Sequence, residues 1–371
     1  MDLEHALVNE CIPYIDFLLT PSITVHQCST PEVSHISLLL LSIPRLCPNL
    51  QNLRVYGKLP DNLALDLAFF EATCGMHNLH TLNLGSSKPP DGMISRILHH
   101  LGSLTSLETL QSLYILTEIQ PFAMVNHSFP KLRNLSLILQ DFDSAALIMD
   151  SMHLPFLSLG FYFTHRLPRP PSPRKLLQSL ARNPHLPLSL SSIAIHGVLT
   201  KRSSVPGVDG AETASIFQPL LALVSLQTLS LRWLSGVETL DDARLNRASK
   251  SFPQLQNLTL YGRVLERKRI TLAGYVPLVQ NCPRLGTIAV ATACKSFDPR
   301  KALPAGLCNE HLQRLDWRES SIESPVASIF RCLNIMFPNL SLLVIPSNFS
   351  SEGARKSWTD LQRLVRDSQT Y

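Results

Sequence analysis

The spacing Cys74-x-x-His77-x-x-His80 is the nearest this chain comes to a set of metal ligands. Thiolate and imidazole are the donors zinc prefers, but a structural zinc site takes four of them. No fourth ligand is evident, and Leu79 inside the trio belongs to a hydrophobic pattern, so the three residues read as a turn entering a strand. Nucleophile and phosphate-loop patterns are missing as well. The chain contains no Gly-x-Ser-x-Gly, no Walker lysine loop, no Gly-x-Gly-x-x-Gly and no His-Glu-x-x-His. The pair His99-His100 closes a helical stretch, where the helix dipole favours a cation. The expectation is a non-enzyme with no catalytic residue, no metal ligand and no cofactor.

The chemistry left to the chain is recognition. Arg54, Tyr56, Tyr114, His196, Arg232, Tyr261, Asp316 and Arg318 are the large polar and aromatic side chains at the outward positions of a recurring phrase. Tyr and Arg dominate interface hot spots. The phrase reads Phe or Cys, Pro, any residue, then Leu-x-x-Leu-x-aliphatic. It occurs at Cys47–Val55, Phe129–Leu137, Phe252–Leu260, Cys282–Val290 and Phe337–Ile345. Weaker copies start at Leu79, Leu110, Leu154, Leu190, Leu226 and Leu312. The first apolar positions run from 50 to 340, which is 290 residues over ten steps, or 29 per step. That period lies at the upper edge of a leucine-rich repeat.

The last two apolar positions of each copy are two apart, so they face one side of a strand, and the residues between them face the other. The outward row runs through Arg54, Asn83, Tyr114, Ser136, Ser158, Ala194, Ser230, Thr259, Ala289, Asp316 and Val344. The row beside it runs through Tyr56, Gly85, Leu116, Ile138, Gly160, His196, Arg232, Tyr261, Ala291, Arg318 and Pro346. Return helices are expected at 61–73, 91–101, 143–152, 174–182, 209–223, 241–251, 270–281 and 324–336. Asp209 with Glu212 reads as a capping box. The proline of each phrase cannot continue a helix and marks where the return ends. The architecture expected is an α/β leucine-rich-repeat solenoid, a horseshoe of about 11–12 degenerate repeats, with a parallel sheet on the concave face and helices on the convex face.

Composition fits this plan. With 45% hydrophobic and 16% charged residues, the 371-residue chain is too apolar to be disordered. A net charge of +5 is spread thinly, which argues against nucleic acid; the densest basic cluster is Arg263, Arg267, Lys268 and Arg269. Eight cysteines show no disulfide pattern, and Cys47 and Cys282 stand where other copies have an inward Phe. No signal peptide or membrane-length apolar run is seen, so the protein is expected in the cytoplasm and/or nucleus, off the membrane, and monomeric. Residues 1–19 read as an N-terminal cap, 20–347 as the solenoid, and 348–371 as a capping helix with Trp358, Leu361, Leu364 and Val365 on one side. A rung at Ile23 and Val25 precedes a helix near 33–46, and loops interrupt the period at 166–174 and 200–210.

The Cys-Pro-Asn-Leu and Phe-Pro-x-Leu phrases resemble the leucine-rich half of fungal F-box proteins, over roughly residues 20–347. In that family the repeats hold a substrate, and an N-terminal F-box docks a Skp-type adaptor of a cullin ubiquitin ligase. The resemblance implies a substrate receptor with a protein partner on the concave face. Residues 1–19 do not read as an F-box, so no docking residue is carried over. The alternative is a free-standing interaction scaffold with no ubiquitin-ligase link.

Overall fold

The computed structural model describes residues 15–17, 22–26, 33–56, 63–85, 93–115, 129–152, 154–163, 173–197, 217–232, 240–261, 270–295, 298, 306, 308–318, 320–346 and 351–368. The capping box at Asp209, the basic cluster at 263–269, the loop at 200–210 and most of the loop at 166–174 lie outside these residues. The chain forms two compact units, Met1–Thr164 and His165–Tyr371.

In the first unit the strands follow chain order: β1 (Ile15–Phe17), β2 (Ser22–His26), β3 (Asn52–Tyr56), β4 (Thr81–Asn83), β5 (Thr109–Ile115), β6 (Asn134–Leu139) and β7 (Ser158–Phe163). The pair β1–β2 is antiparallel and the later pairs are parallel. Returning segments include α1 (Val33–Leu46), α2 (Leu63–Cys74), α3 (Met93–Ser103) and α4 (Phe142–Ser151). Each of the first three packs on its neighbour.

In the second unit a parallel sheet runs β8 (Ser192–His196), β9 (Thr228–Arg232), β10 (Asn257–Tyr261), β12 (Thr287–Val290), β14 (Arg314–Asp316) and β16 (Leu342–Val344). A small sheet is formed by β11 (Ile270–Thr271), β13 (Thr292–Cys294) and β15 (Ser321–Ile322). Helices α5 (Arg174–Arg182), α6 (Leu186–Ser189), α7 (Phe217–Leu220), α8 (Asp242–Ser251), α9 (Val276–Asn281), α10 (Val326–Met336) and α11 (Glu352–Asp367) complete it. Strand, return and parallel strand thus alternate in both units, which is the leucine-rich-repeat fold the spacing predicts.

Local chemistry explains the elements. Asp141, Asp241 and Ser351 accept hydrogen bonds from the backbone N–H three residues on, capping α4, α8 and α11. The proline of the phrase does more than stop a helix. The N–H of each first Leu bonds the carbonyl of the Phe or Cys three residues earlier, at Leu50, Leu132, Leu255, Leu285 and Leu340. Proline therefore occupies the second position of a four-residue turn, where its fixed φ costs nothing. The Phe anchors are buried: Phe129, Phe252 and Phe337 are at most 1% exposed. Cys282 is buried too, whereas Cys47 is only half-buried, short of the inward position expected for it. In the copy beginning at Leu312 the anchor is polar. Asn309, 1% exposed, accepts from the N–H groups of His311 and Leu312 and donates to the Cys282 carbonyl.

One carbonyl just ahead of most strands of the parallel ladders receives two successive N–H groups from the next repeat. The Gln256 carbonyl accepts from Gly286 and Thr287, the Gly286 carbonyl from Gln313 and Arg314, and the His80 carbonyl from Glu108 and Thr109. Beneath these bonds the apolar rows are sealed: Leu229, Leu258, Ile288, Leu315 and Leu343 are 3% exposed or less. Each such side chain contributes roughly 1.5–3 kcal/mol.

Two copies sit in a different frame from the one the spacing predicts. At β5, Leu110 pairs with Leu82 and Leu135, so Leu107 is the first apolar position. A bulge follows between Leu110 and Leu113, with Ser112 at φ 59. At β7, Leu159 pairs with Leu135, so the copy is Phe156-x-x-Leu159-x-Phe161, and Leu157 is 37% exposed. The segment 270–281 also departs from a plain helix. It opens with β11 and a 3-10 turn (Ala273–Tyr275) before α9 begins.

Candidate recognition face

The outward residues of the second unit converge. His196, Arg232 and Tyr261 are strand neighbours: His196 pairs with Arg232, and Arg232 with Tyr261. The residues between Tyr261 and the next large side chains are small. Ala289 pairs with both Thr259 and Asp316, and Ala291 follows in the outer row. Strands lie about 4.8 Å apart, so across an alanine a long side chain spans two gaps. Arg318 does so: its guanidinium carbon lies 5.5 Å from the centre of the Tyr261 ring, and that of Arg232 lies 5.7 Å from the same ring. The tyrosine is flanked by two cations and is only 5% exposed, though it stands on the outward side of the sheet.

Asp316 organises the far side. Its carboxylate, 2% exposed, accepts from Arg318 Nε at 3.0 Å and Nη2 at 2.8 Å, and lies 3.5 Å from Arg314 Nη2. Burial alone would raise its pKa, but the guanidinium of Arg318 and the nearby Tyr261 hydroxyl outweigh it, and the group ionises below its ordinary range. Arg314 was not singled out by sequence reasoning. It was findable, because residues 314, 316 and 318 alternate onto one face.

Two polar atoms in this cluster are buried and unpaired. The Tyr261 hydroxyl and Arg232 Nε have no hydrogen-bond partner. Asp316 influences the hydroxyl electrostatically, but no acceptor meets it in hydrogen-bonding geometry. Burial, reinforced by Asp316, pushes the phenol pKa up, so Tyr261 is a donor at every physiological pH. Arg232 makes no ion pair among the described residues.

On the near side, His196 Nε2 lies 2.9 Å from Ser230 Oγ, a contact missed by sequence reasoning. The distance suits a base and a nucleophile. Burial and the charge of Arg232 push the imidazole down to about 4, however, which makes it a feeble base near neutrality.

Among the described residues, the first unit does not assemble a matching cluster. Arg54 is exposed on β3, with Asn83 and then Gln111 beside it. Tyr114 lies beyond the Ser112 bulge and pairs with Ile138, which moves it from the row of Asn83 and Ser136 to the neighbouring row. In the same way Gly160, not Ser158, stands beside Ser136, and Tyr162 takes the outer position. The backbone of Tyr56 lies in β3; its side chain is outside the description. Of the trio Cys74, His77 and His80, Cys74 ends α2, His77 stacks edge-on against His100 at 5.4 Å, and His80 bonds the Asn78 carbonyl. No group of three potential ligands that could hold a metal is found among the described residues.

No family model matches the sequence, and no curated protein matches it significantly. Among solved structures, the complex of Rad7 with Elc1 from yeast is similar at a TM-score of 0.45 and 13% identity, over 91% of this chain and 81% of that one. A Bacteroides fragilis protein is similar at a TM-score of 0.33 and 13% identity, over 67% and 68%. Likenesses this distant carry no argument about activity. The fold assignment rests on strand register. No described helix is long and apolar enough to cross a membrane.

Proposed function

We propose that the protein is a non-enzymatic recognition module that binds a protein partner on the outward face of its parallel sheet, as the substrate-holding repeats of a cullin-type ubiquitin-ligase receptor do. The observation that supports this reading most is the cluster of Arg232, Tyr261, Asp316 and Arg318. Arg232, Tyr261 and Asp316 end their strands and Arg318 follows in the turn after β14, with alanines on the strand between, and Tyr and Arg are the types that dominate interfaces. The weak His196 base favours binding over turnover.

Affinity capture of the tagged chain from its own cells, read by mass spectrometry, tests the reading. Reproducible partners that are lost with Arg232→Ala/Tyr261→Ala, a variant checked for native circular dichroism, are expected. A Skp-type adaptor and cullin among them favour a ligase receptor. Partners without them favour the free-standing scaffold. Partners retained in full by the double variant would remove this face from the account, and no reproducible partner would overturn the recognition reading.

A further inference from the structure

We infer that the Arg232–Tyr261 site holds a carboxylate side chain from an acidic segment of the partner. The inference rests on the recognition reading above and names the chemistry of what is recognised. Three observations carry it. The first is charge: among the described residues Arg314 and Arg318 share one carboxylate, Asp316, and Arg232 lies against the same Tyr261 ring as Arg318, a net +2 (3 − 1) for the cluster. The second is allocation. Asp316 is committed to Arg318 and Arg314, so Arg232 is left without a counter-ion among the described residues. The third is the pair of orphaned donors. Arg232 Nε–H and the Tyr261 O–H belong to residues in register on adjacent strands, and both are buried without an acceptor. An unsatisfied buried donor is costly, and a planar oxyanion is the group that satisfies a guanidinium edge and a phenol together. An uncharged amide supplies an acceptor but no compensating charge. The Tyr261 ring, 5.7 Å from the guanidinium carbon, restricts the Arg232 side chain in advance, so less rotamer freedom is lost on binding.

The test is fluorescence anisotropy of the purified full chain with a labelled peptide of alternating glutamate and glycine, set against the same peptide with glutamine. The glutamate peptide is expected to bind and the glutamine peptide not. Arg232→Gln should weaken binding about tenfold or more, and Tyr261→Phe, which keeps the ring and removes only the hydroxyl, by a few-fold. Arg232→Lys should recover only part of the loss, because a point charge replaces a planar fork. Arg355→Gln, on the exposed face of α11, should change nothing. Equal binding of the two peptides, or an equal loss with Arg355→Gln, would overturn the proposal, as would a phosphoserine peptide that binds while the glutamate peptide does not. If captured partners depend on Arg232 but the glutamate peptide fails to bind, the recognition reading stands and the carboxylate assignment falls.

Discussion

His196 makes the acid side of this protein's stability curve sensitive to pH. Burial and Arg232 hold its folded pKa at about 4, against an ordinary 6.5. As pH falls below 6.5 the unfolded chain takes up a proton that the folded chain refuses, so stability is lost between about 6.5 and 4. His100 is shifted down as well, chiefly by burial, and adds to the same slope. The urea midpoint should be lower at pH 5 than at pH 7.5, and His196→Gln should flatten the difference. A steeper slope in the variant would refute the assignment. Burial at the next residue pair makes a sharper contrast. Leu258, 3% exposed, faces the core, while Thr259 faces outward. Leu258→Ala should cost about 2–5 kcal/mol and Thr259→Ala within about 0.5 kcal/mol by denaturant unfolding. Leu258→Asp should unfold part of the stack where Thr259→Asp does not. Equal losses would mean that the strand is one residue out of register.

At the scale of elements, the join between α8 and β11 hangs on one side chain. Asp242 accepts from the N–H of Thr271 at 2.8 Å and from its hydroxyl at 2.7 Å. Gly274 passes directly over that carboxylate: a Cβ there would meet Asp242 Oδ1 at 2.1 Å. Gly274→Ala should therefore eject Asp242 and cost about 1–3 kcal/mol. In the Asp242→Ala background the same change should cost much less, a non-additivity that a double-mutant cycle reads directly. Elements also show where sequence stops being enough. The spacing of apolar residues placed most strands, and it placed α1 and α5 residue for residue. It failed at β5 because Leu104, Leu107, Leu110 and Leu113 recur every three residues and offer two equivalent frames. The choice is made by a left-handed Ser112, which carries no Gly or Asn signature. It failed at β7 because Phe156, Leu159 and Phe161 take the places expected of Leu154, Leu157 and Leu159. The candidate cluster was half visible: its residue types and rows could be read, but the orphaned donors and the reach of Arg318 across the Ala291 position appear only in the folded chain.

At the scale of the whole molecule, each unit is a one-dimensional stack in which a repeat leans on its neighbours. The C-terminal helix closes the second unit by two separate devices. Trp358 packs edge-on against Trp317 at 6.0 Å, and Gln362 donates to the Leu343 carbonyl at 2.8 Å. Trp358→Ala should expose Trp317, loosen α11 and fray β16 first. Amide exchange should then rise in β16 and β14 well before β9, and uniform loss across the unit would contradict a nearest-neighbour stack. Thiol chemistry reports on the same integrity. Burial drives the Cys282 pKa up to about 12 and raises that of Cys294, so alkylation of both should wait for local opening, while half-buried Cys308 reacts in the native state.

The doubly accepting carbonyl at the head of most strands has a consequence for change over generations. Because the main chain alone makes that joint, it sets no requirement on the side chain beside it: Gln51, His80, Glu108, Arg133 and Gly286 all occupy the position. A row of residues running along one margin of each sheet can therefore be rewritten one letter at a time without renegotiating the fold. Mutation can explore new surface chemistry there while the architecture stands still.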